Sequence, residues 1–339
     1  MQKEFWFPMI PIKPAGRIRT ISTSDPQFES DGIRFLTVYS PALGGRGDVS
    51  IFVPPGIVSS TSVPMILLLH GVHDSHWAWF FNGGAHKVAS DLMAEGRIRP
   101  MLLVAPSDGL YRDGSGYLAH SGRDFERWIT DDVIESVANT FGCISENSPM
   151  FIVGLSMGGY GALRLGLKRA DMFRGISVHS AITDIGEMSQ FVGDPFPPEP
   201  IDKAETDLFA WIERNRKILP PLRFDCGTGD QLIEGSRRFH NELNRRGVSH
   251  QYVEFDGGHD WVYWSAHVSL SFLFFENILR EPANSQVEPV CTGDVDRRIG
   301  TKAAIGDGNR ATGDVRRQYQ LPSQETADAV AAFIHYLLR

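Results

Sequence analysis

The chain has 339 residues, 42% of them apolar, and a formal net charge of −8. That size suits one large globular domain with room for an appendage. The negative balance argues against a nucleic-acid surface, and the longest apolar runs, MILLL and LSFLFF, are too short to cross a bilayer.

The N-terminus, MQKEFWFPMIPIKPAGR, has no apolar secretory core. Cytoplasmic residence is the expectation, although a signal removed beforehand would leave the same sequence. Cys143, Cys226 and Cys291 form neither a disulfide framework nor a C-x-x-C site, and a single disulfide stays open.

In chain order, IRFLTVYS and VSIFVPP within 33–53 flank a glycine-rich turn and predict a hairpin or edge strands. VPMILLLHG (63–71) predicts a buried strand, AHKVASDLMAEG a helix, and RPMLLVAPSDG (99–109) a second buried strand. FERWITDDVIESVANTFG (125–142) has helical spacing and a closing glycine. PMFIVGLS (149–156) predicts a strand and GGYGALRLGLKRADMF the helix after it. FRGISVHSA (173–181), LRFDCGTGD (222–230) and HQYVEFDGGH (250–259) supply further strands, with a helix between Gly235 and Gly247 and a terminal helix in VYWSAHVSLSFLFFENIL.

Apolar strands alternating with helices predict a mostly parallel sheet with helices on both faces. Ligands in such sheets bind beyond the carboxyl ends of the strands, and Gly71, Asp108, Ser156, Asp230 and His259 all fall there. Residues 186–221 interrupt the rhythm with the loop FVGDPFPPEP and a helix in DKAETDLFAWIERNRKI, an insertion placed to cap the site. The catalytic domain is expected at 1–281, including that insertion. A polar linker or loose tail is expected at 282–320 and an amphipathic helix at 321–339 that docks on the domain or mediates homo-oligomers.

G-L-S-M-G-G at 154–159 fits the strand-to-helix elbow G-x-S-x-G. An exposed serine on a tight turn needs small neighbours, so Ser156 is the expected nucleophile. The alternative is a glycine-rich turn that only packs closely or binds phosphate. The Met157 N–H then points to where negative charge develops, and the Val72 N–H after His70-Gly71 is the second expected donor. His259, on a flexible loop after the last strand, is the expected base, with His179 as a rival that precedes the acid. Asp230 is the expected orienting carboxylate, with Asp225 and Asp256 as competitors and a helix cap as its bland reading.

LLLHGVHDSHWAW, GLSMGGYGAL, CGTGDQLI and GGHDWVYW, in that order, resemble the putative esterase family of α/β-hydrolases across residues 30–280. The family includes feruloyl and acetylxylan esterases, S-formylglutathione hydrolases and mycolyltransferases. The resemblance implies the α/β-hydrolase fold, the triad Ser156, Asp230 and His259, and the Val72 and Met157 oxyanion donors. It also implies tryptophans close after the histidine, matched here by Trp261 and Trp264. The loop VHDSHW lacks the cysteine usual in S-formylglutathione hydrolases, which leaves the subfamily open.

His76, Trp77, Trp79, Tyr111, Trp261 and Trp264 are candidates for lining an acyl pocket, with core packing as the alternative. His70, His73 and His76 have a repeating spacing, but loop contacts explain them better than a metal. No metal or cofactor is expected. The expected activity is a serine carboxylic-ester hydrolase working through an acyl-enzyme on short-chain or aromatic acyl esters. The partner is a small-molecule ester, with no nucleic acid and no membrane span. An acyltransferase with the same triad and a noncatalytic binding protein on the same fold are the alternatives.

Overall fold

The computed structural model describes residues 16–57, 62–198 and 200–280. The linker and helix expected at 282–320 and 321–339 lie outside the described residues.

The chain enters through β1 (Ile21–Thr23), β2 (Ile33–Ser40) and β3 (Gly45–Phe52), then β4 (Met65–Leu69). Helices α1 (Ala78–Phe81) and α2 (Ala85–Ala94) lead to β5 (Leu102–Pro106). A two-stranded ribbon, β6 (Ala119–His120) and β7 (Arg123–Asp124), precedes α3 (Phe125–Arg127). A π-helical stretch, Trp128–Val133, joins α3 to α4 (Ile134–Thr140). Next come β8 (Met150–Leu155), α5 (Ser156–Lys168) and β9 (Phe173–His179). The insertion carries α6 (Lys203–Thr206) and α7 (Leu208–Arg214). The domain closes with β10 (Leu222–Gly227), α8 (Ile233–Arg245), β11 (Gln251–Phe255) and α9 (Trp261–Arg280).

Among the described residues nine strands form one sheet in the order β1-β2-β3-β5-β4-β8-β9-β10-β11. The first three pair antiparallel, β3 meets β5 antiparallel, and every pair from β5 to β11 is parallel. The hairpin of 33–53 is therefore present, with Leu36 opposite Val49.

The continuous apolar runs are explained by burial on both faces. Met65, Leu67 and Leu69 of β4 enter one core with Leu163 and Leu165 of α5 and Trp128 and Val133 of the π-containing helix. Ile66 and Leu68 enter the other, with Ala89 of α2 and Val268, Phe272 and Phe275 of α9. Each buried Leu, Ile, Val, Met or Phe among them contributes about 1.5–3 kcal/mol relative to exposure.

Three local features depart from the sequence reading. The helix over 125–142 contains a π turn, which lets Trp128 donate to the Ser107 carbonyl (2.7 Å) while Asp132 binds the Ala42 N–H (3.0 Å). The expected single helix in the insertion is two. Asp207 sits in extended backbone between them and caps α7 through the N–H groups of Phe209 and Ala210. Strand β1 is only three residues long, too short for an alternating pattern to reveal.

Candidate active site

Ser156 is the first residue of α5 and has φ +53°, the left-handed region that a serine adopts only under constraint. Its N–H donates to the Ser180 carbonyl and its own carbonyl accepts from Ile182 N–H, both at 3.1 Å, so the loop after β9 clamps the turn. The flanking glycines are steric necessities. A Cβ on Gly154 would overlap the Gly158 carbonyl, and one on Gly158 would overlap the Leu69 carbonyl.

His259 reaches the serine from the loop between β11 and α9, with Nε2 2.9 Å from Ser156 Oγ. Its Nδ1 lies 2.9 Å from Asp230 Oδ2 and 3.1 Å from Oδ1. Asp230 is buried and accepts the Leu232 N–H at 2.8 Å. Burial alone would raise its carboxyl, but hydrogen bonding and charge at His259 more than offset this and hold it below the ordinary range. The imidazole is held between rings: Phe191 at 4.9 Å, tilted 34°, and the Trp264 edge at 5.1 Å.

The rivals go elsewhere. His179 is fully buried and bonds Asp225 through Nδ1 (2.9 and 3.0 Å) and Ser271 Oγ through Nε2 (2.8 Å). Asp256 is exposed and accepts from Thr228 Oγ1 at 3.3 Å.

The loop after β4 is pinned at successive backbone groups. Tyr117 OH donates to the His70 carbonyl (3.0 Å), and His73 N–H donates to the Asp113 carbonyl (2.9 Å). The Asp108 N–H donates to His70 Nε2 at 3.0 Å, so the ring proton lies on Nδ1, which donates to the Gly71 carbonyl at 2.7 Å. That bond orients the Gly71–Val72 peptide, whose N–H points opposite its carbonyl. Met157 N–H belongs to the first turn of α5, where no helical carbonyl precedes it. A role for His70 in orienting this peptide was not expected from sequence. Its only signal was its place directly before Gly71.

A cleft of about 320 Å³ opens over the serine, lined by Gly71, Val72, Asp74, Leu155, Phe191, Asp260, Trp261 and Trp264 around Ser156 and His259. Trp261 and Trp264, two of the six pocket candidates, line it. The other four pocket candidates do not line this cleft. His76 faces the outer strands, with Nδ1 2.7 Å from Ser50 Oγ and its ring edge-on to Phe35. Trp77 is partly exposed, one residue before α1. Trp79 is buried in the core because α1 turns it inward against Trp261. Tyr111 packs on His120 and Phe125, with its hydroxyl 2.7 Å from Ser121 Oγ. Phe191 was missed because it lies in the insertion, where no periodicity marks it.

A larger depression of about 930 Å³ lies among Arg216, Leu222, Val248, Leu273, Phe274 and Ile278, and Ser156, Asp230 and His259 do not line it. The three histidines after β4 diverge to separate partners: His70 to backbone, His73 to Asp113 (3.6 Å) and His76 to Ser50.

Residues 40–274 match the family described as "Putative esterase". The chain belongs to this family. An acetyl esterase of Caldicellulosiruptor saccharolyticus is 26% identical over 65% of this chain and 86% of its own length. An S-formylglutathione hydrolase of Arabidopsis thaliana is 28% identical over 57% of this chain and 73% of its own. The match to an endo-1,4-beta-xylanase/feruloyl esterase of Xylanibacter ruminicola, 26% identical, spans 42% of this chain and 20% of that protein. Among solved structures, the fold resembles a serine hydrolase of Staphylococcus aureus that binds fluorophosphonates, with TM-score 0.63 and 20% identity over 72% of this chain and 98% of that one. A ferulic acid esterase is equally close, with TM-score 0.63 and 24% identity over 73% and 97%. These neighbours show the α/β-hydrolase fold. With its hydrogen-bonded serine, histidine and aspartate, this esterase is a serine hydrolase that acts on carboxylic esters through an acyl-enzyme. Among the described residues no helix is long and apolar enough to cross a membrane.

Proposed function

We propose that Ser156 is the nucleophile, His259 its base, Asp230 the orienting carboxylate, and the Val72 and Met157 N–H groups the oxyanion donors. The observation that carries this reading is the unbroken hydrogen-bond chain from Asp230 through His259 to a strained serine beneath an open cleft.

His259 Nε2 takes the Oγ proton as Oγ bonds the ester carbonyl carbon, and the imidazolium is stabilised by Asp230. The two amides hold the oxyanion. Collapse breaks the carbon–alkoxy bond, and His259 returns the proton to the departing alcohol. Water then adds to the acyl-enzyme with the same proton relay, releasing the acid and restoring Ser156.

The acyl group in this proposal is short-chain or carries one aromatic ring. A cleft near the lower end of ligand-site volumes, walled by Phe191, Trp261 and Trp264, supports that choice. The acetyl and feruloyl esterases among the relatives support it as well. Parent and Ser156→Ala are to be compared on acetyl, butanoyl and feruloyl esters, measuring both acid and alcohol release. Loss of turnover in the variant is expected, and equal turnover in both would sink the mechanism. A fall in free acid when an alcohol is added would identify acyl transfer instead.

The proposal also keeps residues 1–281 as the catalytic domain with 186–221 as its cap-like segment, followed by the linker and C-terminal helix. Cytoplasmic residence and self-association through that helix complete it. Cell fractionation, and solution mass before and after truncation at 281, test those points.

A further inference from the structure

The ten residues lining the cleft include two carboxylates, Asp74 and Asp260, and neither lysine nor arginine. The two differ in what they already do. Asp260 accepts the Tyr263 N–H at 2.9 Å and so caps the first turn of α9. Asp74 lies two residues beyond the Val72 donor, half-buried in the cleft wall. Among the described residues no lysine, arginine or histidine side chain lies within ion-pair distance of it, whereas neighbouring Asp113 has His73 at 3.6 Å.

Trp261 lines the cleft beside Asp74, and that indole stands edge-on to Trp79 (5.7 Å) and Trp264 (5.1 Å). Burial dominates and holds the Asp74 carboxyl above the ordinary carboxylate value. A partly desolvated carboxylate beside a small cleft acts on a second charge through a lower effective dielectric than water.

We propose that Asp74 is a charge-selecting residue of the ester site, admitting neutral and cationic acyl groups beside Ser156 and disfavouring acyl groups that carry a carboxylate. This rests on the assignment of Ser156 as nucleophile. The oxyanion feels the Asp74 field whatever the substrate, so absolute rates can move together. The ratio between substrates isolates the charge on the acyl group.

The test uses three 4-nitrophenyl esters with one leaving group: butanoate, hemisuccinate and 4-(trimethylammonio)butanoate. Each kcat/KM is normalised to that ester's hydroxide-catalysed rate. The parent is expected to prefer the neutral and cationic esters over hemisuccinate. Asp74→Asn should shrink the neutral-to-anionic ratio about tenfold, as expected for like charges several ångströms apart at an intermediate effective dielectric. Asp74→Glu should largely preserve it, and added salt should lower it in the parent. If Asp74→Asn does not fold, as judged by circular dichroism, the salt dependence of the parent ratio decides. An unchanged ratio in a folded variant, or a parent ratio indifferent to salt, overturns the proposal alone. Absence of enzymatic turnover on all three esters, or turnover that survives Ser156→Ala, overturns the esterase assignment beneath it.

Discussion

Among the described residues two Ser–His–Asp chains run through the fold, and one of them opens onto a cleft. Ser156–His259–Asp230 and Ser271–His179–Asp225 share the same order of hydrogen bonds, with the carboxylate at Nδ1 and the hydroxyl at Nε2. The first lies at the carboxyl ends of β8, β10 and β11, with its serine in a left-handed elbow beside a cleft. The second is sealed between the sheet and α9, with all three residues fully or almost fully buried. Its carboxylate is also bound by Arg223 (2.6 Å) and Tyr263 OH (2.9 Å). The comparison teaches that connectivity alone does not make a catalyst. The open cleft and the left-handed elbow of its serine distinguish the first from the second.

Breaking each serine separates the pair most sharply. Ser156→Ala should lower kcat by roughly 10⁶-fold with little loss of stability, since a triad acts as a unit. Ser271→Ala should leave ester turnover close to the parent rate and instead cost about 1–3 kcal/mol in urea unfolding, because His179 Nε2 loses its partner.

The carboxylates should divide in the same way. Asp230→Asn is expected to reduce kcat by about 10⁴-fold at neutral pH, with a modest drop in the unfolding midpoint as its depressed carboxylate is lost. Asp225→Ala strands the buried Arg223 and should cost about 3–5 kcal/mol, read as a lower midpoint in a denaturant titration.

A smaller effect tests the scaffold of the first site. His70→Ala frees the Gly71–Val72 peptide and should lower kcat about tenfold while KM changes little, the pattern of a weakened oxyanion contact. A rise in KM with kcat intact would assign His70 to substrate binding instead.

Acid sharpens the comparison from the buried side. Burial would raise Asp225, but His179 and Arg223 overcome it and hold the carboxyl at about 2, below its ordinary 3.8. A depressed carboxyl stabilises the fold fully above the unfolded value and loses that contribution as pH falls toward the folded one. The parent should therefore lose stability between about pH 4 and 2, and Asp225→Asn should lose less over that interval.

Much of the first site was legible because its requirements are local. A tight elbow needs Gly154 and Gly158 within a few residues of Ser156, and buried strands must read as continuous apolar runs. Asp230 and His259 were legible through their position after successive strands. The second chain was not. His179 and Asp225 were seen only as weaker candidates, because nothing local tells a buried partner from a catalytic one. Trp261 and Trp79 likewise read alike in sequence, yet one lines the cleft and the other fills the core.

The sequence by itself therefore determined the alternation of strands and helices, the elbow and the chain order of its partners. These depend on steric and burial rules that act over a few residues. The tertiary structure alone decided which histidine meets Ser156, which aromatics face the cleft, and that His70 orients the Val72 peptide. Those outcomes depend on distances between segments far apart in the chain, set by how the helices pack on the two faces of the sheet.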